Sequence, residues 1–362
     1  MPFPANYGGV IDVYYKLFWL KEAGVKIHLH CFTYGREPAA ELEKLCEKVY
    51  YYKRKTGLAS NLSFLPYTVK SRQSTDLENN LLLNDYPILF EVLHTCHLMG
   101  DLRFADRKKI YRHSNIEHDY YRELAKTERH FLKKIFLIIE SFKLKRFERV
   151  LDQADLILAV NQKDTDYFKK EYPWVPSVYL PSFHANKNIQ IKEGKGDYIL
   201  FHGNLSISEN YEAALWLLQN VFSKIKNKLV ITGLNPPEFL KHEIEKYNHV
   251  ELKENPTSQE MDELIVNAHI HVLYTLQATG LKLKLLNVLF KGRFIICNEA
   301  MLAGTGISEN GGLYLANDAE MFVNQINYLL GMVMDEKALR TRQNQLINFD
   351  NQKNAAQLIT FI

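Results

Sequence analysis

The stretch ATGLKLKLLNVLFKGRFIICN, residues 278–298 of a 362-residue chain, holds the side chains best suited to meeting an anion. Thr279 and Gly280 open a helical pattern, Gly292 closes it, and an apolar strand follows. A helix N-terminus offers free N–H groups and partial positive charge, which is the simplest protein device for binding phosphate. Gly280 lets a ligand approach the backbone closely, at Leu281 as well, and Lys282 adds a formal charge in the expected first turn. The plain alternative is that Thr279 caps a helix and Gly280 merely starts it. Lys284, Asn287 and Lys291 fall on one face, at i, i+3 and i+7, while Leu281, Leu285, Val288 and Leu289 form the expected buried stripe.

Thirteen histidines invite a metal reading, in HTCH (94–97), HLH (28–30) and HIH (269–271) above all. None of these assembles three or four ligands, so no metal site is expected. His113 differs, because it follows the strand pattern KKIYR at its C-terminal end, where α/β sheets place ligands. The other reading is a plain strand-end histidine. Asn115, Glu117 and His118 come next, and Glu117 could instead serve as a capping partner to Ser114.

These residues need a scaffold, and apolar strand-like runs alternate with helical patterns from end to end, which predicts an α/β protein with mostly parallel sheets. GGVIDVYYKLFWLKEAG reads as a helix and VKIHLHCF as the strand after it. YPILFEVLHTC and RKKIYRHS are two more strands, HFLKKIFLIIESFKLKRFERVLDQA is a long amphipathic helix, and DLILAV is another strand. The weakly hydrophobic stretch 181–197 reads as a linker, giving domains over 1–180 and 198–334. In the second, YILFHG, SENYEAALWLLQNVFSKI and KLVITG form one βαβ unit, and HIHVLYT, the helix 280–291 and RFIIC form another. A last helix from about Asp335 to 362 is expected to pack back on the first domain. The chain opens on MPFPANYGG, already in a glycine loop, so the first strand of the N-terminal domain is expected to be missing.

Length and composition fit two ordinary globular cores, with 46% hydrophobic and 24% charged residues. The net charge is only +3, yet Arg103–Arg149 holds 14 Lys/Arg against 7 Asp/Glu. Four widely spaced cysteines without C-x-x-C favour reduced thiols and a cytoplasmic protein. No apolar run approaches the ~18 residues of a membrane span, and no signal-peptide core is found, so any membrane contact is expected to be peripheral. The basic helix 130–150, with Lys133, Lys134, Lys143, Lys145, Arg146 and Arg149, could face anionic lipid at the inner membrane, or be a solvated face. Aromatic residues are scattered without an RNP-like pattern, which argues against nucleic acid.

Five segments in order resemble glycosyltransferase family 4, the nucleotide-sugar transferases of the GT-B fold: PFPANYGG, IYRHSNIEHDYY, ADLILAVNQKDTDYF, ILFHGNLSISEN and the 278–298 stretch. The resemblance implies two Rossmann-like domains facing a cleft, a retaining reaction, no essential metal and no cofactor beyond the nucleotide diphosphate sugar. It assigns Gly8 and Gly9 to the donor phosphates from the first domain, and Gly203, Asn204, Thr279, Gly280, Leu281, Lys282, Lys284 and Asn287 to the donor site of the second. His113 becomes the catalytic-cleft histidine, with Asn115 and His118 on the acceptor side.

Departures stand beside these assignments. Two family glutamates match Thr279 and Asn287, and a family basic pair matches Asn204 and Glu209. Asn287 keeps hydrogen-bonding capacity but loses charge assistance. Glu209 would repel phosphate and reads better as a first-turn acid in a helix capped by Ser208. The expected function is transfer of a hexose to a glycan or lipid-linked acceptor. A non-catalytic sugar-nucleotide-binding or partner protein, and a nucleotide-sugar epimerase or hydrolase, are the alternatives.

Overall fold

A computed structural model describes the chain except for residues 6–7, 58–62, 129 and 277–281. Its described residues divide into two compact units: Met1–His184 with Phe349–Ile362 (unit 1), and Ala185–Ala278 with Lys282–Asn348 (unit 2). Within each unit every strand pairing is parallel.

Unit 2 is built on one six-stranded sheet. Its strands are β7 (Ile199–Gly203), β8 (Leu229–Gly233), β9 (Val250–Glu254), β10 (Ile270–Leu273), β11 (Phe294–Cys297) and β12 (Leu313–Leu315), in the order β12-β11-β10-β7-β8-β9. The sequences LVITG, IHVL and FIIC are buried at every position, as expected of parallel strands with both faces covered. Leu217, Leu218, Phe222, Phe322 and Ile326 complete the core from the flanking segments. The strand order reverses between β7 and β10, and open α/β sheets bind ligands beyond the carboxyl ends at such a reversal. Close approach of strands is built in there: a Cβ on Gly233 would lie 1.8 Å from the Gly203 carbonyl oxygen. Residues 185–197, taken from sequence as a linker, run along this unit. Gln190 N–H donates to the Phe290 carbonyl at 2.7 Å, and Gly194 bridges Met334.

Unit 1 begins, among the described elements, with the helix Gly8–Glu22. Its strands fall into two sheets, a pair formed by β1 (His28–Thr33) and β2 (Lys48–Lys53), and a four-stranded sheet β3-β4-β5-β6 over Ile88–Glu91, Lys109–Arg112, Leu156–Ala159 and Ser177–Tyr179. The strand expected over YPILFEVLHTC ends at Glu91, because Val92 takes φ +68° and a 3₁₀ turn follows over Leu93–Leu98. The long helix expected over 130–154 runs only from Phe131 to Phe147 and tightens into a 3₁₀ turn at Glu148.

The chain leaves unit 1 at His184 and returns at Phe349, and these two points are clasped together. Asn351 accepts from His184 N–H at 3.2 Å and donates to its carbonyl at 2.9 Å, while the His184 ring contacts the Phe349 carbonyl at 2.7 Å. The single helix expected from Asp335 is two. Glu336–Gln345 stays with unit 2, where buried Arg342 donates to the carbonyls of Gly311, Leu289 and Arg293. Asn351–Ile359 packs in unit 1 against Leu20 through Ala355 and Leu358.

Candidate active site

The strand ends of unit 2 collect the polar residues that the sequence singled out. The helix Leu283–Lys291 starts three residues later than the pattern predicts, with the Lys282 carbonyl accepting from Leu285 and Leu286. Lys282 therefore precedes the helix instead of lying in its first turn. Thr279, Gly280 and Leu281 lie outside the described residues. Across from this start, the helix Ser208–Asn220 follows the loop after β7. Its capping position is Ile207, whose carbonyl accepts from Asn210 and Tyr211, so Ser208 is the first helical residue and not the cap.

Two contacts join these helix starts. Lys282 Nζ lies 2.8 Å from Glu209 Oε1, which also accepts from the Thr275 hydroxyl. Lys284 Nζ donates to Asn210 Oδ1 at 2.8 Å. Asn210 in turn donates to the Asn204 carbonyl at 2.9 Å, and Asn204 Oδ1 accepts from Ser206. Gly203 makes room for this, because a Cβ there would stand 3.0 Å from Asn210 Cγ. Asn298 fixes the loop after β10 by bonding both the N–H and the carbonyl of Thr275.

Electrostatics separate the two lysines. Burial pushes the Glu209 carboxyl up, but the Lys282 charge and the hydrogen bonds from Lys282 and Thr275 outweigh it and hold it below its usual range. Lys282 is thereby matched by an internal acid. Burial lowers the Lys284 ammonium to about 8, Glu209 opposing and Lys282 adding to the shift. Beside it His202, the penultimate residue of β7, is buried with Nε2 lacking a hydrogen-bond partner, and burial followed by the Lys284 charge pushes its imidazole down to about 3. A cation short of counter-charge and an unsatisfied ring nitrogen, both at the sheet's reversal point, form a place prepared for an anionic, hydroxyl-bearing ligand. Asn287 is half-buried on the same helix, one turn further on. Lys291 leaves this face altogether, buried and paired with Asp262 at 2.6 Å.

In unit 1, Gly8 and Gly9 form the exposed first turn of their helix, and a side chain on Gly9 would meet nothing within 4 Å. His113 sits just past β4, fully buried, with Nε2 3.5 Å from Asp164 Oδ2 and its ring edge-on to Phe168. Burial, then the Arg112 charge, pushes it down to about 3, and neither ring nitrogen has a hydrogen bond. Asn115 is half-buried on the following loop. His118 turns into the interior, where Nδ1 meets Glu148 at 2.9 Å. Glu117 does not cap Ser114. It accepts from Leu93 N–H at 3.0 Å, bracing the turn after the positive-φ Val92. Burial raises its carboxyl to about 7 against the pull of Arg72 and the Leu93 and His94 amides.

Reading the sequence missed a buried charge cluster of unit 1. Lys16 bridges Asp12 (3.1 Å) and Glu91 (2.7 Å), and Arg112 reaches Asp12 (3.2 Å) and the carbonyls of Leu180 and Pro181. Asp12 also accepts from Phe183 N–H at 2.7 Å. The visible signal was a carboxylate and a lysine at i and i+4 inside an apolar helix. Among the described residues no cluster of three or more His, Cys, Asp or Glu side chains could hold a metal ion.

Residues 196–332 match the family described as Glycosyl transferases group 1. An uncharacterized 44.6 kDa protein in the cps region of Klebsiella pneumoniae is 28% identical over 351 residues, spanning 90% of this chain and 88% of that relative. Among solved structures, sucrose-phosphate synthase from Thermosynechococcus elongatus is similar with a TM-score of 0.69 at 14% identity, over 98% of this chain and 92% of its own. The Anabaena protein HepE, solved with UDP and glucose, is similar with a TM-score of 0.60 at 11% identity, over 98% and 94%. Residues 196–332 of unit 2 are thus similar to the group 1 glycosyltransferases, and the chain shares the GT-B fold of these structures.

Proposed function

We propose that the protein transfers a hexose from a nucleotide diphosphate sugar to a glycan or lipid-linked acceptor, with retention of anomeric configuration and without an essential metal. The observation that carries the donor reading is the Lys284–His202–Asn210 group at the reversal point of the unit 2 sheet. A diphosphate arriving there gains the Lys284 charge and returns that ammonium toward its usual pKa, so binding and protonation reinforce one another. Stabilising the departing diphosphate is the main catalytic task in such a transfer, and a prepositioned cation does it without reorganisation. Glu209 keeps Lys282 occupied, which leaves Lys284 as the principal formal charge offered by this rim. Thr279, Gly280 and Leu281 would add backbone N–H groups, and Gly203, Asn204 and Asn287 polar contacts to the sugar and ribose. From unit 1, Gly8 and Gly9 complete the phosphate contacts, His113 orients the sugar or incoming hydroxyl, Asn115 belongs to the acceptor side, and His118 supports that side from the interior through Glu148.

A polysaccharide acceptor fits the cps-region name of the Klebsiella relative. No described helix is long and apolar enough to cross a membrane, and the four cysteines are free and buried, which supports a cytoplasmic protein with at most peripheral contact at the inner membrane face.

The experiment is calorimetry with UDP-, GDP- and ADP-sugars on the wild type and Lys284→Ala, followed by product analysis. Saturable binding of one donor, weakened in the variant, together with an α-linked product from an α-donor in the presence of a chelator, is the expected result. Free sugar or an epimerised nucleotide formed without acceptor would replace transfer by hydrolysis or epimerisation. Silence toward every donor would leave a binding or partner role.

A further inference from the structure

The helix Phe131–Phe147 is apolar on both sides, and only one side is covered. Leu137, Glu140, Ser141 and Leu144 face inward, held by bonds from Tyr67 N–H to Glu140 (2.6 Å) and from the Ser141 hydroxyl to the His118 carbonyl (2.7 Å). The opposite side exposes Phe131 (71%), Leu132, Ile135, Phe136, Ile138, Ile139 and Phe142 (72%). At 100° per residue these seven occupy one continuous arc of about 160°, centred opposite the buried stripe. Phe64, 96% exposed, belongs to the segment that meets this helix through the Tyr67–Phe136 ring contact at 6.3 Å. Surface helices of soluble proteins show polar residues on that side, and an apolar arc of this kind marks an interaction surface.

Charge decides what covers it. Lys133, Lys143 and Lys145 are answered by Glu128, Glu140 and Glu148. Lys134 at the edge of the arc, and Arg146 and Arg149 continuing it past Phe142, have no acidic partner among the described residues. The arc is therefore apolar at its centre and cationic at both ends. A second copy laid antiparallel across it would set Lys134 against Arg146 and Arg149, repelling at each end. A bilayer with anionic headgroups meets both requirements at once, taking the apolar side chains among its acyl chains and the cations at its phosphates.

We infer that this protein docks on anionic lipid bilayers through the exposed arc of the Phe131–Phe147 helix, with the helix lying in the plane of the interface. At ~1.5 Å per residue the helix spans about 25 Å along that plane. The apolar arc carries the binding and the unpaired cations select the lipid. The charged helix read from sequence thus acts through the residues between its lysines.

The test is flotation of the full chain with vesicles of phosphatidylcholine alone, or with about a third phosphatidylglycerol. The wild type should float with the anionic vesicles, and Ile135→Ser/Ile139→Ser/Phe142→Ser should lose about tenfold or more of that binding while keeping its circular dichroism spectrum. Arg146→Gln/Arg149→Gln should lose a few-fold and become less sensitive to salt. If the triple variant misfolds, Phe142→Trp reports instead, its added emission over the wild type shifting to the blue on anionic vesicles. Absence of flotation with both vesicles, equal flotation of the serine variant, an unshifted emission of the Phe142→Trp variant, or a wild-type dimer that the serine variant dissolves would each overturn the inference. No donor is present in these measurements, so their outcome is independent of the transferase reading.

Discussion

At the strand ends of unit 2, Lys282 and Lys284 sit half-buried, and among the described residues each pairs through a single contact, with Glu209 and Asn210. At the corresponding ends of unit 1, Arg112 and Glu91 join Asp12 and Lys16 in a buried cluster that also grips the backbone at residues 180–183. A ligand can replace a single half-buried contact. It cannot replace a cluster in which Asp12, Lys16 and Arg112 each have several fixed partners, because removing one leaves the others as uncompensated buried charges. Exchangeable chemistry therefore belongs to unit 2, and scaffolding to the charged core of unit 1.

The strongest attempt to break that contrast is Asp12→Ala. It strands Lys16 and Arg112 and releases Phe183 N–H, so chemical denaturation should show a loss of about 3–5 kcal/mol. Burial pushes the Asp12 carboxyl up, but Arg112 and Lys16 outweigh it and hold it at about 2. Its contribution to stability is therefore present above its ordinary pKa and fades as pH falls from about 4 through about 2. A loss confined to donor binding would place this cluster in the site and end the contrast.

Glu117 gives the next largest effect, with the opposite sign. Its folded carboxyl titrates at about 7, so between its ordinary range and about 7 the folded state holds a proton that the unfolded state has lost. Stability should fall as pH rises through that window, by up to about 3 kcal/mol, and Glu117→Gln should flatten the curve. Urea midpoints at several pH values check it.

For unit 2, Lys284→Ala should weaken donor affinity by about tenfold or more, with little change in the urea midpoint. Wild-type affinity should decline above about pH 8, as Lys284 loses its proton. Affinity unchanged in Lys284→Ala would mean that the rim is as structural as the unit 1 cluster. The smallest effect sharpens the same point. Glu209→Gln frees Lys282 and should tighten donor binding a few-fold, whereas a rim built around Glu209 would lose affinity.

What the sequence made legible follows from what is local. The period of Leu285, Val288 and Leu289 located the donor-side helix, and the buried runs LVITG and FIIC located the strands. Parallel sheets write themselves as uninterrupted apolar runs, so the α/β class could be read ahead of the structure, and the family resemblance added the GT-B fold. Pairings between distant elements left no such trace. Glu209 finds Lys282 73 positions away, Lys291 finds Asp262 29 away, and Asp12 finds Arg112 100 away. The cap expected at Ser208 lies at Ile207, and the helix expected from 280 begins at Leu283, because carbonyl acceptance, not residue preference, fixed them. The Phe131–Phe147 helix hid its second face for a different reason. Its covered side includes Glu140 and Ser141 beside Leu137 and Leu144, so its apolar period points to the side left exposed.

The clasp between His184 and the 349–351 segment has a consequence in polymer terms. Seen from unit 1, the residues from 185 to 348 are a loop tied at its base, and the entropy of closing a loop grows only with the logarithm of its length, about 0.6 kcal/mol for each doubling. Unit 2 is thus a guest whose size scarcely taxes its host. Residues could be gained or lost within it, loop by loop, while the knot of Asn351 and His184 kept the host's own ends together.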